Sequence, residues 1–114
     1  MIVAVIGSRS LTVDKLEDYL PINTTEIVSG GAKGIDACAK NYAINKGLKI
    51  TEFLPDYATY GRKAPLIRNQ LIIDYADCVI AFWDGTSRGT KFVINACKNQ
   101  GKPIRLFIKK SPLV

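Results

Sequence analysis

The sequence contains no histidine, one tryptophan, one methionine and three cysteines among its 114 residues. Without histidine, catalytic centres of the Ser-His-Asp or Cys-His type cannot form, and no zinc ion can take a histidine ligand. The cysteines Cys38, Cys78 and Cys97 are odd in number and far apart, which argues against a disulfide framework or a metal cluster. Because each lies in an apolar run, we expect three buried free thiols in a reducing compartment.

Long apolar stretches are also missing. No run approaches the ~20 apolar residues that a membrane-spanning helix requires. The N-terminus shows neither a basic leader nor a cleavage site of the kind that secretory signals carry. We therefore expect a cytoplasmic protein without a membrane partner.

The overall composition indicates one folded domain with a positive surface. A chain of 114 residues, 47% of them apolar, matches the size of a single domain, residues 1–114. Sixteen Lys and Arg residues against ten Asp and Glu residues give a net charge of +6. Such a charge favours anionic partners, namely phosphates, nucleotides or nucleic acid.

Short apolar runs rich in β-branched residues alternate with segments of helical periodicity, which predicts a parallel sheet with helices on both faces. The expected fold is a single three-layer α/β domain with strand order 3-2-1-4-5, because right-handed crossovers leave few other arrangements. The segment Pro55–Lys63 is expected to be an irregular loop, and a loop of this length is often functional. The predicted strands are Ile2–Ile6, Glu26–Ser29, Lys49–Leu54, Cys78–Trp83 and Ile104–Ile108. The predicted helices are Leu11–Leu20, Lys33–Asn45, Pro65–Tyr75 and Thr90–Gln100.

Glycine, hydroxyl groups and positive charge gather where the predicted strands end. The first strand is followed by Gly7-Ser8-Arg9, the second by Ser29-Gly30-Gly31-Ala32-Lys33-Gly34-Ile35-Asp36, and the fourth by Asp84-Gly85-Thr86-Ser87-Arg88-Gly89-Thr90. Neither glycine-rich stretch fits the dinucleotide fingerprint or the P-loop pattern. Ligands of open parallel sheets bind beyond the carboxyl ends of the strands, where strand order reverses. The basic residues predicted to lie at this edge are Arg9, Lys33, Arg62, Lys63, Arg68 and Arg88.

This edge predicts an anion-binding site, because glycines admit backbone N–H groups to a phosphate and arginines donate paired hydrogen bonds to it. Asp36 would be repelled by a phosphate unless it meets a ribose hydroxyl. The alternatives are a plain turn at Gly7-Ser8-Arg9, a helix-dipole role for Asp36, an N-cap at Gly89-Thr90 and a core position for Trp83. The candidate ligand-binding residues are Gly7, Ser8, Arg9, Gly30, Gly31, Lys33, Asp36, Arg68, Asn69, Trp83, Asp84, Ser87, Gly89 and Thr90.

From Val3 to about Lys102 the chain resembles the SLOG superfamily. The residues that carry this resemblance are Ile6-Gly7-Ser8-Arg9, Ser29–Asp36, Arg68-Asn69, Ala76-Asp77 and Trp83–Thr90. Their order looks most like the YspA/YpsA-related group of small stand-alone proteins. The block from Ser29 to Asp36 is also similar to the Rossmann-like domain of DprA/Smf, which binds single-stranded DNA. The resemblance implies a Rossmann-like fold that binds nucleotides or nucleotide-derived ligands, often as a homodimer.

One branch of that superfamily is enzymatic, the lonely-guy phosphoribohydrolases that cleave the N-glycosidic bond of nucleoside monophosphates. Arg68 matches the arginine of that branch, but Val93 stands where the resemblance would place the catalytic glutamate. A valine can neither stabilise an oxocarbenium-like centre nor carry a proton. We therefore expect no robust catalysis, and no cofactor is required. Asp36, Asp56 and Asp84 are the other carboxylates that a hydrolase could use.

Three functions follow from these observations. The leading hypothesis is a sensor or binding module for a small-molecule nucleotide or an ADP-ribose-like compound. A phosphoribohydrolase-like enzyme is the second. The third is a DprA-like binder of single-stranded nucleic acid, which the net charge of +6 and the aromatic residues Tyr57, Tyr60 and Trp83 near a basic edge support.

Overall fold

A computed structural model describes residues 1–110 of the chain. Its centre is one five-stranded sheet in which every pair of neighbouring strands is parallel, and the strand order is β3-β2-β1-β4-β5. The predicted topology is therefore confirmed. The strands are β1 (Ile2–Gly7), β2 (Glu26–Ser29), β3 (Lys49–Glu52), β4 (Cys78–Trp83) and β5 (Ile104–Ile108).

Helices cover both faces of this sheet, which makes a three-layer α/β fold of the Rossmann-like kind. Two 3₁₀ turns, Leu16–Asp18 and Gly61–Lys63, supplement the α-helices. The α-helices are α1 (Ile35–Lys46), α2 (Tyr57–Tyr60), α3 (Ala64–Tyr75) and α4 (Arg88–Gln100).

The core consists of two apolar layers, one on each side of the sheet. Alternate residues of β1 point in opposite directions, so Val3 and Val5 meet α1 while Ala4 and Ile6 meet α3 and α4. The first layer contains Val3, Val5, Leu11, Leu16, Ile27, Ile35, Ala39, Ala43, Ile80 and Phe82. The second contains Ala4, Ile6, Val28, Ile72, Ile73, Ala76, Val79, Ala81, Val93 and Cys97.

The predicted helix Leu11–Leu20 is wrong, because only the short 3₁₀ turn Leu16–Asp18 forms in that segment. Leu11 and Leu16 are both buried, and residues five apart do not share one face of an α-helix. Lys15 also takes a left-handed conformation with φ of 50°, which a helix excludes. The chain therefore passes through this connection as an irregular segment with one 3₁₀ turn, in which Leu11 and Leu16 are buried.

Three smaller differences concern a loop, a helix start and the thiols. The segment Pro55–Lys63, expected to be irregular, holds α2 and a 3₁₀ turn, because the Asp56 carboxylate caps α2 by accepting the Thr59 N–H at 3.1 Å. Helix α1 begins at Ile35 rather than at Lys33, since Gly34 has a φ of 70°. All three cysteines within residues 1–110 are free, but only Cys97 is buried, while the other two are half-buried.

The helices found between residues 1 and 110 are all too short or too polar to cross a bilayer. The longest, α4, has 13 residues.

Gly7, at the carboxyl end of β1, lies where two elements approach the backbone closely. A Cβ at this position would lie 2.4 Å from Cγ1 of Ile35 and 2.8 Å from the carbonyl oxygen of Phe82. Gly89, in the first turn of α4, is different: its Cβ would meet only the Asn69 side chain, at 3.9 Å. The absence of a side chain is thus a packing requirement at Gly7 and not at Gly89.

We therefore expect Gly7→Ala to destabilise the fold by about 1–3 kcal/mol, the usual cost of overpacking a well-filled site. Gly89→Ala, the matched control, should leave stability unchanged or raise it, since alanine favours a helix more than glycine does. Urea denaturation of both variants measures the difference. Equal stability of the two variants would contradict the close packing at Gly7.

Candidate functional site

A crevice of about 520 Å³ opens at the carboxyl edge of the sheet, between the loops that follow β1 and β4. These strands pair directly, with Gly7 opposite Phe82, and they mark the point where strand order reverses. The start of α3, the preceding 3₁₀ turn and the residues Ala32 and Asp36 form the remaining wall. The crevice is lined by Ile6, Gly7, Arg9, Ser10, Ala32, Asp36, Arg62, Pro65, Leu66, Arg68, Asn69, Asp84, Ser87, Gly89 and Thr90.

Most of the candidate residues predicted from sequence meet in this crevice, although they come from four separate segments of the chain. Those that line it are Gly7, Arg9, Asp36, Arg68, Asn69, Asp84, Ser87, Gly89 and Thr90. Sequence reasoning did not assign Ile6, Ser10, Ala32, Pro65 and Leu66 to the site, and it placed Arg62 at the basic edge without assigning it to the site. Arg62 lies in the predicted loop Pro55–Lys63 and Pro65 directly follows it, so a functional role for that loop was the signal that could have found them.

Two candidate residues, Ser8 and Trp83, do not line the crevice but hold its loops in place. Ser8 is buried; its N–H donates to the carbonyl oxygen of Phe82 at 3.0 Å, and its Oγ accepts the Asp84 N–H at 3.1 Å. The indole N–H of Trp83 donates to the carbonyl oxygen of Ser87 at 3.0 Å. The Ser8 bonds join the β1 loop to the β4 segment, whereas the Trp83 bond stabilises the β4 loop itself.

Most of the glycine-rich segment after β2, including Gly30, Gly31 and Lys33, does not line the crevice. Gly31 has a φ of 72°, and a Cβ there would lie 2.5 Å from Cδ2 of Leu54. A Cβ at Gly30 would lie 2.6 Å from Nη1 of Arg68. Lys33 is exposed and precedes α1. Of this segment, only Ala32 and Asp36 reach the lining.

Arg68 is buried and its guanidinium joins three parts of the fold. Nη1 donates to the carbonyl oxygen of Gly30 at 2.6 Å and, at 3.5 Å, to that of Phe53, while Nε donates to Oδ1 of Asn69 at 2.7 Å. Burial lowers the pKa of Arg68 from its usual value, and the Asp36 carboxylate opposes that shift. Within the described residues Nη2 makes no hydrogen bond, so its protons are available to a ligand in the crevice.

Asp84 is an ionised turn residue whose oxygens are both occupied. Oδ1 accepts the N–H groups of Thr86 at 2.9 Å and Ser87 at 2.8 Å, and Oδ2 accepts the hydroxyl of Ser10 at 3.3 Å. The two backbone donors lower the pKa of Asp84 to about 2. A carboxylate with this environment shapes the loop and does not act as a general acid near neutral pH.

The N-terminus of α4 opens into the crevice without a cap. Ser87 is the N-cap residue, yet its side chain makes no capping hydrogen bond, and the first helical bond runs from the Lys91 N–H to the Ser87 carbonyl oxygen. In the part of the chain that the structure describes, no acceptor takes the N–H groups of Arg88, Gly89 or Thr90. These donors and the helix dipole favour an anion at this end.

Neither Asp56 nor position 93 contributes a carboxylate to the crevice. Asp56 is exposed and caps α2, and hydrogen bonding to Thr59 lowers its pKa. Val93, the position at which the phosphoribohydrolase resemblance would place a glutamate, is fully buried in the core between α4 and the sheet. Among residues 1–110, no group of three or more metal-ligating side chains comes together.

Residues 1–56 match the model of the family described as DNA recombination-mediator protein A. This match covers just under half of the chain, from β1 to the end of β3, and includes the loops after β1 and β2. It does not extend to Arg62, Arg68 or the β4 loop. No curated protein and no solved structure matches the chain.

The hydrogen bonds to Asp84 predict a defined acid sensitivity. Its pKa is depressed in the folded protein, so its contribution to the free energy of unfolding is present above the unfolded value near 3.8 and is lost as the pH falls towards about 2. Asp84→Asn should flatten this part of the stability profile. Ser87→Ala keeps the donating N–H and should retain the acid dependence. Urea denaturation between about pH 2 and pH 6 measures both, and identical profiles for wild type and Asp84→Asn would contradict the assignment.

Proposed function

We propose that the crevice binds a phosphate-bearing ligand of the nucleotide class, and that the protein acts as a nucleotide sensor or binding module. The observation that carries the proposal is the convergence of Arg9, Arg62 and Arg68 with an uncapped helix N-terminus at the reversal point of the sheet. Both groups of donors favour an anion there.

The size and the lining of the crevice suit a whole nucleotide rather than a bare phosphate. A volume of about 520 Å³ is within the range of ~300–1,000 Å³ that small-molecule sites occupy. Its wall combines the charged groups with the apolar side chains of Ile6, Pro65 and Leu66. An apolar wall next to cationic groups can accept a base while the phosphate meets the arginines.

A binding role is favoured over glycosidic cleavage. Hydrolysis of that bond generally uses a carboxylate aimed at the sugar as nucleophile, acid or base. In the crevice, both oxygens of Asp84 accept hydrogen bonds from the β4 loop and from Ser10, and Val93 lies in the core. Asp36 is the remaining acidic side chain in the lining, without a second carboxylate positioned to work with it.

The proposal predicts that two exposed arginines determine affinity. Arg9→Ala and Arg62→Ala should each weaken binding of nucleoside 5′-monophosphates by about ten- to a hundredfold, since each removes a charge-assisted contact. Neither side chain makes a hydrogen bond within residues 1–110, so the fold should be unaffected. Calorimetric titration with AMP, GMP, CMP and UMP measures the effect.

Arg105→Ala provides a control with the same loss of charge, because Arg105 is exposed on β5, away from the crevice. It should bind as wild type does. The nucleosides without phosphate should bind weakly to all forms. If neither crevice variant differs from Arg105→Ala, nucleotide binding at this crevice is refuted.

Single-stranded nucleic acid is a second candidate ligand, favoured by the family match over residues 1–56. Next to the crevice, Tyr57 and Tyr60 on α2 are 56% and 46% exposed, and the exposed Arg62 and Lys63 follow directly. Exposed aromatic rings beside cations are what single strands require, since bases stack on the rings and phosphates meet the charges.

If strands bind here, gel-shift titrations with an oligodeoxynucleotide of about 15 residues should give an affinity that falls steeply with salt, because phosphate contacts release counterions. Tyr57→Ala and Tyr60→Ala should weaken binding by about fivefold or more, the loss expected for a stacked base. The matched variants Tyr57→Phe and Tyr60→Phe keep the ring and should bind normally. Binding unaffected by either alanine variant would remove α2 from the interface.

A further inference from the structure

Asp36 is the feature of the crevice that phosphate binding does not explain. It lines a cavity that contains Arg9, Arg62 and Arg68, yet a carboxylate repels a phosphate. Asp36 is buried, with 7% of the surface of the residue exposed. Burying a charge is costly, so its surroundings must supply hydrogen bonds to it.

The described residues supply few of those hydrogen bonds. Oδ2 accepts the Ala32 N–H at 3.1 Å, and this is the single bond to the carboxylate that meets standard geometry among residues 1–110. No cation lies within 4.0 Å of it in that part of the chain. Oδ1 makes no such bond but is not sealed from solvent, because no buried side-chain oxygen of residues 1–110 lacks a partner.

Oδ1 of Asp36 is therefore an acceptor at the crevice to which no group among residues 1–110 donates a hydrogen bond of standard geometry. Burial raises the pKa of Asp36, although the backbone N–H groups of Ala32 and Gly30 and the charges of Arg68 and Arg9 oppose the shift. A ligand hydroxyl could donate to this oxygen, whereas a phosphate oxygen or a base carbonyl could not. A donor from the ligand would stabilise the charged form that burial disfavours.

We propose that Asp36 binds the hydroxyl groups of a ribose and makes the crevice selective for ribonucleotides over 2′-deoxyribonucleotides. This inference rests on the proposed nucleotide function and adds the sugar class of the ligand. Its geometric basis is that Asp36 shares the crevice with the cationic groups that would hold the phosphate. Phosphate and ribose are adjacent in a nucleotide, and Asp36 and the arginines line the same crevice.

The position of Asp36 follows from the local fold. It occupies the first turn of α1, and the Ala32 N–H, four residues earlier, holds its carboxylate at the base of the glycine-rich segment. The Arg68 guanidinium covers the same segment by binding the Gly30 carbonyl oxygen at 2.6 Å. Asp36 and Arg68 thereby present an acceptor and a donor to one ligand.

The test compares AMP with 2′-deoxy-AMP by calorimetry on the wild-type protein and on Asp36→Asn. We expect the wild type to prefer AMP by at least tenfold, since a hydrogen bond to a charged acceptor typically contributes this much. In Asp36→Asn the preference should largely disappear. Binding of 2′-deoxy-AMP should stay the same or become tighter, because the variant removes a negative charge from a phosphate site.

The control variant Asp14→Asn carries the same change of charge on an exposed residue that does not line the crevice, and it should keep the wild-type preference. If AMP and 2′-deoxy-AMP bind the wild type equally well, the ribose assignment is overturned while nucleotide binding stands. If Asp36→Asn weakens both ligands to the same extent, Asp36 is a structural residue and the inference is likewise overturned. If neither ligand binds the wild type, the proposed function fails, and this inference fails with it.

Discussion

The candidate site depends on the direct pairing of β1 with β4. This pairing brings together two strands that are more than seventy residues apart in the sequence. After β1 the chain continues to β2 on one side of the pair, and after β4 it continues to β5 on the other side, so a crevice opens between the two loops. Ser8 secures the junction, because its backbone and hydroxyl both bond to the β4 segment. Without these bonds the two loops would have no fixed separation, and the crevice between them would have no fixed width.

Arg68 serves both the fold and the site. Its hydrogen bonds to Gly30 and Asn69 tie α3 to the glycine-rich segment after β2, and the guanidinium occupies the space that a side chain at position 30 would need. Gly30 is therefore required by the arginine, independently of any ligand. A residue that is 8% exposed and bonded in this way cannot be removed to test binding alone, which is why the exposed Arg9 and Arg62 are the more informative positions.

The two acids of the crevice illustrate how hydrogen bonding separates chemically identical groups. Asp84 receives backbone N–H and hydroxyl donors from its own loop, so its charge is already compensated and its pKa falls to about 2. Asp36 is more deeply buried and receives fewer donors, so its pKa rises. The hydrogen bonds to Asp84 stabilise the β4 loop, whereas the Asp36 carboxylate keeps an oxygen that can accept a further hydrogen bond.

The sequence alone determined the sheet order, the parallel pairing and the edge at which the site lies, because apolar runs and connection lengths are local signals that restrict the topology strongly. It also identified the glycine and arginine segments as a group. Tertiary structure decided which of these residues line the crevice. Ser8, Gly30 and Trp83 share the composition of a binding loop but support its backbone, since the direction of a side chain depends on what packs against it. The connection from Leu11 to Leu16 was likewise decided by burial against α1 and β1, which overrides local helix propensity.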